Sequence, residues 1–256
     1  MKKYYHDFFN DKFVRELVYP NKKKGYFVDC GATDGILQSQ SFRLEQDGWR
    51  GLCIEPCLAS HKALKNNRPL AKIDTSAIVP KNYEGQRSFL ETPQFTLSSV
   101  SLDSKPKEES YKVNGLSIVS ILKKNKAPKV IDFMGIDIEG DFEHDVTLEE
   151  EVIKELLDSD FKVKFFAVEH YWPPKLEKIF NDTLYFKIKN PFLDAMWISS
   201  ETGLSYTLSS NGNYVCQQFG NEEERDITDM TKVVWECYYV HMDVIKENKK
   251  LKRFLT

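Results

Sequence analysis

"GYFVDCGATDGILQSQSFRLEQDGWRGLCIEP", Gly25 to Pro56, decides how the rest of the chain is read. It opens on an apolar strand pattern, "YFVDC", which runs through a glycine turn into a helix pattern, "SFRLEQ". A second apolar run, "GLCI", follows and ends in Glu55. Strand, glycine turn, helix, strand is the opening unit of a mostly parallel α/β sheet, whose ligands sit beyond the carboxyl ends of the strands. The turn reads Asp29-Cys30-Gly31-Ala32-Thr33-Asp34-Gly35. A dinucleotide fingerprint carries three glycines as G-x-G-x-x-G, because backbone must approach a pyrophosphate. Here Asp29 stands where the first glycine belongs. An acid aimed at that turn repels a pyrophosphate but accepts a hydrogen bond from an ammonium group. Glu55 ends the next strand, roughly twenty residues past the turn, where an acid can hold a ribose diol. A nucleoside with an amino-acid tail suits both acids, and S-adenosylmethionine is such a molecule.

The remaining chain alternates in the same way. Phe9, Phe13 and Leu17 recur at helical spacing, so an opening helix within residues 1–24 is expected to stop near Pro20. "SHKALKNNRP" reads as a helix and "AKIDTSAIVP" as a third strand. Residues 81–112, richer in Ser, Lys, Glu and Pro, read as a hairpin and loop excursion on the surface. "LSIVSILKKN" is a helix, "VIDFMGIDIEG" a buried strand ending in acids, "TLEEEVIKELLDSD" a helix with acids in its first turn, and "KVKFFAVEHYW" a strand. "LYFKIKN" and "DAMWISS" make two late strands, and a final helix pattern runs from about Asp229 to Phe254. The expectation is one domain with a cofactor-binding core at 25–200 and an extension at 201–256. Its fold class is Rossmann-like α/β: a mostly parallel seven-stranded sheet with an antiparallel last strand and helices on both faces.

The 256 residues are 41% hydrophobic and 29% charged with a net charge of -3, which gives no global reason to expect a nucleic-acid partner. The basic run at the end, "KENKKLKR", reads as a solvated helix end. Cys30, Cys53, Cys57, Cys216 and Cys237 are scattered, lack the spacing of a zinc site, and suit buried thiols in a reducing compartment. The first residues contain no apolar core of a signal peptide, and no run approaches a membrane span. A cytoplasmic location is therefore expected.

From Phe27 to Pro69 the chain resembles the FkbM family of S-adenosylmethionine-dependent methyltransferases. The residues that carry this are "DCGATDG", Ser39 and Ser41 in "SQSFRLE", "GWRGLCIEP" and "NNRP". "DFMGIDIEG" is similar to that family's D-[VI]-E-G strand end, and the likeness continues less clearly through "FFAVEH". One departure is Phe142, two residues after the glycine, where the family usually has an acid; Glu143 follows it.

The resemblance implies, and the turn's geometry supports, that Gly31, Ala32 and Gly35 form the turn under the methionine part, with Asp29 and Thr33 in reach of its polar ends. Asp29 could equally be a turn-stabilising carboxylate. Ser39 is a candidate for the methionine carboxylate or for a backbone hydrogen bond. Glu55 is the ribose candidate, and Ser76 and Ala77 would flank the adenine unless they are strand packing. Asp137 and Glu139 end the fourth strand and are catalytic candidates, Asp137 also a cofactor-binding one; Glu169 and His170 end the strand beside it. His170 is the first candidate for general base, since imidazole titrates near neutral pH, with Asp137 as rival base or as the group that orients the ring. Asp137, Glu139 and His170 could instead hold Mg²⁺ or Mn²⁺; a metal-free site is preferred. Tyr171, Trp172, Trp197 and Tyr206 are either core or a stacking wall for a sugar or glycan acceptor. The family resemblance implies O-methylation of a sugar hydroxyl. The alternatives are a metal-dependent nucleotide-sugar glycosyltransferase using "DIE", and a catalytically silent S-adenosylmethionine-binding protein.

Overall fold

The computed structural model describes residues 3–6, 8–92, 98–102, 110–139, 147–170, 173–192, 197–198, 205–208, 214–217 and 234–256. Seven strands make the frame: β1 (Tyr26–Cys30), β2 (Arg50–Ile54), β3 (Ala71–Asp74), β4 (Phe133–Ile136), β5 (Phe165–His170), β6 (Tyr185–Lys187) and β7 (Val234–His241). β1 pairs in parallel with β2 and β4, β2 with β3, and β4 with β5. β7 runs antiparallel to both β5 and β6, which gives the order 3-2-1-4-5-7-6. Parallel neighbours need helical crossovers, and these supply the covering layers.

Period-two alternation along each strand divides the side chains between two cores. Val28, Cys30, Leu52, Ile54, Met134, Ile136, Phe166 and Val168 point to one face. There α4 (Ile118–Lys124), α5 (Leu148–Leu157) and α6 (Pro173–Phe180) cover them. Phe27, Cys53, Phe133, Phe165, Ala167, Tyr238 and Val240 point to the other. That face lies under α1 (Asn10–Phe13), α2 (Phe42–Gln46), α3 (Leu58–Asn67) and α7 (Met242–Glu247). α1 widens into a π turn at Val14–Val18 and stops just before Pro20, as its spacing predicts.

The excursion forms a small sheet of its own. Gly85–Leu90 pairs antiparallel with Ser99–Ser101 and Ser110–Leu116, and Ala77–Ile78 adds in parallel at Gly115 and Leu116. Val79, Phe89, Val100 and Val113 make its core against Cys57 and Leu148. Ser99 bridges to Glu139, so this sheet meets the carboxyl end of β4. Trp197–Ile198, Ser205–Leu208 and Tyr214–Gln217 form a meander that joins the edge of β7 beside β6, bringing the described main sheet to ten strands.

Two expectations are corrected. The helix expected from Asp229 to Phe254 is instead β7, a short α7 and a 3₁₀ turn at Lys249–Phe254. Residues 236–241, "ECYYVH", are buried on both faces between β5 and β6, so they lack the polar alternation of a half-exposed strand and period and length do not separate strand from helix. The expected extension from residue 201 therefore contributes an inner strand of the sheet. "AKIDTSAIVP" likewise divides: β3 stops at Asp74, whose carboxylate takes the Ser76 N–H at 2.9 Å, and Ala77–Ile78 turns into the small sheet.

Candidate active site

β1 delivers the glycine turn to the carboxyl edge of the sheet. Gly31 has φ +85°, and a Cβ there would lie 1.8 Å from the Asp137 carbonyl oxygen just past β4. Only glycine allows that approach. Gly31 and Ala32 both donate to the Ile54 carbonyl, at 3.0 and 3.2 Å, which fastens the turn to the end of β2. Thr33 is also left-handed, at φ 45°, and its N–H donates to Glu55 Oε2 at 2.8 Å. Glu55 Oε1 takes the Cys57 N–H at 2.8 Å. Each carboxylate oxygen thus holds one backbone N–H and keeps a further acceptor position. Burial pushes Glu55 up to about 7 despite those two donors.

Asp29 and Ser39 lie beneath the turn. Asp29 is 2% exposed and accepts from Ser41 Oγ at 2.5 Å and Ser39 Oγ at 3.3 Å, with the Arg68 guanidinium 3.6 Å away. Ser39 Oγ in turn accepts from Arg68 at 3.2 Å and from the Phe42 N–H at 3.0 Å. Both expected ligand contacts are thus engaged inside the protein, by a residue from the end of α3. Ser76 and Ala77 are also buried. Ser76 Oγ accepts from Lys124 Nζ at 3.2 Å, and Ala77 packs with Cys57.

The sheet brings Asp137 together with Glu169 and not with His170. Gly135 and Ala167 are register partners, so Asp137 and Glu169 follow side by side on the face under α1. Glu169 lies opposite Glu236 on β7. Glu169 and Asp137 share a hydrogen bond. Desolvation raises both acids, and the charge of Asp137 together with that bond lifts Glu169 further. Glu236 is also held well above the usual carboxylate range by burial, and accepts from Asn10 Nδ2 at 2.6 Å. Asn10 Nδ2 also donates to Gln40 Oε1 at 3.0 Å, while Tyr238 Oη donates to Asn10 Oδ1 at 2.6 Å. Glu149, at the start of α5, is raised by burial and by the nearby charges of Glu139 and Asp137.

His170 follows Val168 onto the opposite face. Its Nε2 lies 3.3 Å from Glu150 Oε1 on α5, with the residue 1% exposed. The pairing of His170 with Asp137 is therefore corrected: strand alternation sends consecutive residues to opposite faces, and Glu169 occupies the expected place. The set Asp137, Glu139 and His170 fails as a metal site for the same reason. Among the described residues no group of three or more His, Cys, Asp or Glu side chains is arranged to hold a metal ion. A groove of about 550 Å³ between the small sheet and α5, lined by Val79, Lys81, Leu148, Glu151 and Glu155, shares no residue with this site.

Gly140, Phe142, Glu143, Tyr171 and Trp172 lie outside the described residues. Trp197 and Tyr206 are register partners in the meander, and Cys216 is in its third strand. Sequence reasoning missed Arg68, Asn10, Gln40 and Glu236. "NNRP" held the signal for Arg68, whereas nothing local marks Asn10, whose partners lie as far as 228 residues away.

A model of the methyltransferase FkbM domain matches residues 29–182. The chain belongs to the FkbM methyltransferase family. It is an S-adenosylmethionine-dependent methyltransferase, and the glycosyltransferase alternative falls. A search of curated proteins found no match. Among solved structures, a putative methyltransferase, yhhF, from Escherichia coli is 11% identical with a TM-score of 0.41, covering 91% of this chain and 86% of that one. TrmK of M. capricolum, in complex with S-adenosyl-homocysteine, is 10% identical with a TM-score of 0.39, covering 89% of this chain and 67% of that one. At these values the likeness adds nothing to the family assignment. Among the described residues, no helix is long and apolar enough to cross a membrane.

The strand-end residues fit the family's cofactor. A carboxylate with an open acceptor position on each oxygen at Glu55 suits a ligand that brings a vicinal diol, while the close approach at Gly31 is to the Asp137 carbonyl.

Proposed function

We propose that this FkbM-family enzyme methylates a hydroxyl group of a sugar or related polyhydroxylated acceptor. Bound S-adenosylmethionine supplies an electrophilic methyl group on a sulfonium. Glu55 accepts from the ribose hydroxyls with the acceptor positions its two backbone donors leave open. Gly31, Ala32, Thr33 and Gly35 form the floor under the methionine part, and Ser76 and Ala77 are the nearest residues to the adenine side.

The observation that carries the hydroxyl reading is the Asp137–Glu169 carboxyl pair, set side by side where β4 and β5 reach the glycine turn, with both acids held above the usual carboxylate range. An alcohol must lose a proton as it is methylated, and a half-buried carboxylate with a raised pKa is suited to take it. Asp137 is the base, and Glu169 orients it by donation. Glu139 and the small sheet beside it face the acceptor side. The sugar preference rests on the family resemblance alone.

The test is calorimetric titration with S-adenosylhomocysteine, followed by radiolabelled methyl transfer to deoxysugars, glycans, amines and RNA, each with and without Mg²⁺. Transfer to a sugar hydroxyl supports the reading. Transfer only to amines or RNA sinks the acceptor assignment, and dependence on Mg²⁺ overturns the metal-free base.

A further inference from the structure

We propose that Arg68, with its neighbour Asn67, is the positioning residue of the cofactor turn: a clamp from the end of α3 that sets the turn before ligand arrives. The inference rests on the reading above that the cofactor lies on this turn. It gives Asp29 and Ser39 a different task, as supports of the turn and not as ligand contacts.

Two consecutive side chains hold two consecutive carbonyls. Asn67 Nδ2 donates to the Asp34 carbonyl at 2.9 Å, and Arg68 donates to the Gly35 carbonyl at 3.2 Å. The rest of the guanidinium fork reaches three other elements. Its Nε donates to Glu45 Oε2 on α2 at 2.7 Å, and its other nitrogens to Ser41 Oγ at 2.7 Å and Ser39 Oγ at 3.2 Å. Asp29, near the end of β1, is 3.6 Å away. Phe27 and Phe42 lie 5.1 and 5.6 Å from the guanidinium carbon. Gly35 sits at φ +87° against the arginine stem, where a Cβ would be 2.6 Å from Arg68 Cγ. A fixed planar fork is the one side chain that meets so many acceptors at once, and lysine does not reproduce it.

Arg68 is 1% exposed, so none of these bonds is shared with solvent. A buried ion pair of this kind adds little stability over a well-packed apolar replacement, and its best-attested use is to enforce one arrangement. The arrangement enforced here directs the Asp34 and Gly35 carbonyls toward α3. The Asp34 carboxylate meanwhile takes the Ile36 and Leu37 N–H groups at 2.8 and 2.7 Å. With these groups fixed, Thr33 N–H remains on Glu55, and the ligand meets a turn with little freedom left to lose.

The experiment measures S-adenosylhomocysteine affinity of the full chain by calorimetry for wild type, Arg68→Lys, Asn67→Ala and Leu122→Ala. Leu122 is buried on the opposite face and controls for general destabilisation. Arg68→Lys is expected to bind roughly ten- to a hundredfold more weakly and Asn67→Ala roughly three- to tenfold, the scale of hydrogen bonds with and without a charged partner. Leu122→Ala is expected to lower the unfolding temperature and leave affinity unchanged. In turnover assays the KM for cofactor rises in the two clamp variants and the KM for acceptor does not. Wild-type affinity in folded Arg68→Lys and Asn67→Ala overturns the clamp. If Arg68→Lys does not fold, Asn67→Ala decides alone. Absence of binding by wild type removes the cofactor placement itself, and the clamp with it.

Discussion

The two faces of the sheet come from the same strands, yet they are built differently. Under α4, α5 and α6 the strands meet Ile, Leu, Val and Phe, including Ile121, Leu122, Ile153, Leu156, Phe166 and Phe180. Under α1 and α2 the alternate residues of the same strands include Asp29, Asp137, Glu169 and Glu236, with Asn10, Gln40 and Arg68 placed against them. Burying such groups is costly unless each finds a partner, so one face supplies stability and the other carries polar groups at its expense. The contrast separates what holds the fold from what the site needs, and each experiment below presses on one side of it.

The largest effect is expected from Asp137→Asn, which removes the proposed base and lowers turnover by roughly 10²–10⁴-fold. Stopped assays with labelled cofactor measure it, and S-adenosylhomocysteine affinity should change little; full turnover would move the chemistry off this face. Next, Phe166→Ala on the apolar face should cost about 3–5 kcal/mol in denaturant unfolding while leaving affinity of the folded protein intact. A loss of affinity there would break the division between faces.

Glu55→Gln should weaken S-adenosylhomocysteine by roughly ten- to a hundredfold, as expected for a lost charged hydrogen-bond acceptor. It also carries a pH signature. Glu55 is raised from 4.5 to about 7, so the native state holds its proton longer than the unfolded chain does. The stability Glu55 contributes is present below 4.5 and is lost as pH rises to about 7. The stability advantage of wild type over Glu55→Gln should shrink across that window in unfolding experiments; a constant difference removes the assignment. The smallest effect is expected from His170→Gln, whose ring is bonded to Glu150 on the apolar face: turnover within about threefold of wild type, against the large losses typical of a general base. A loss of the size expected for Asp137→Asn would restore the histidine as base.

The unit from Gly25 to Pro56 was legible because its signals are local. A strand, a left-handed glycine, a helix and an acid at the next strand end all lie within one short stretch. Asp137 was legible for the same reason, as an acid at the end of an apolar run. The choice between Glu169 and His170 was not, because adjacent strand residues face opposite ways and the sequence does not say which face carries the site. β7 was misread because a strand enclosed on both sides has no polar alternation to betray it. Arg68 needed five partners between Asp29 and Glu45, which only the folded chain gathers. Asn10 needed partners near the other end of the protein.

That last pairing bears on how the molecule is made. Asn10 emerges from the ribosome well ahead of Glu236, from which it is separated by 226 positions. Until β7 is synthesised, α1 has no amide acceptor at Glu236 and no phenol at Tyr238, and β5 has an open edge. The nascent chain must therefore carry α1 without these two partners until β7 is made, when exposed edges invite misassembly. A chain halted before Val234 should show α1 cut by protease faster than in the complete chain, and completing β7 should slow the cutting; an equally protected halted chain would mean that α1 docks without its distant partners.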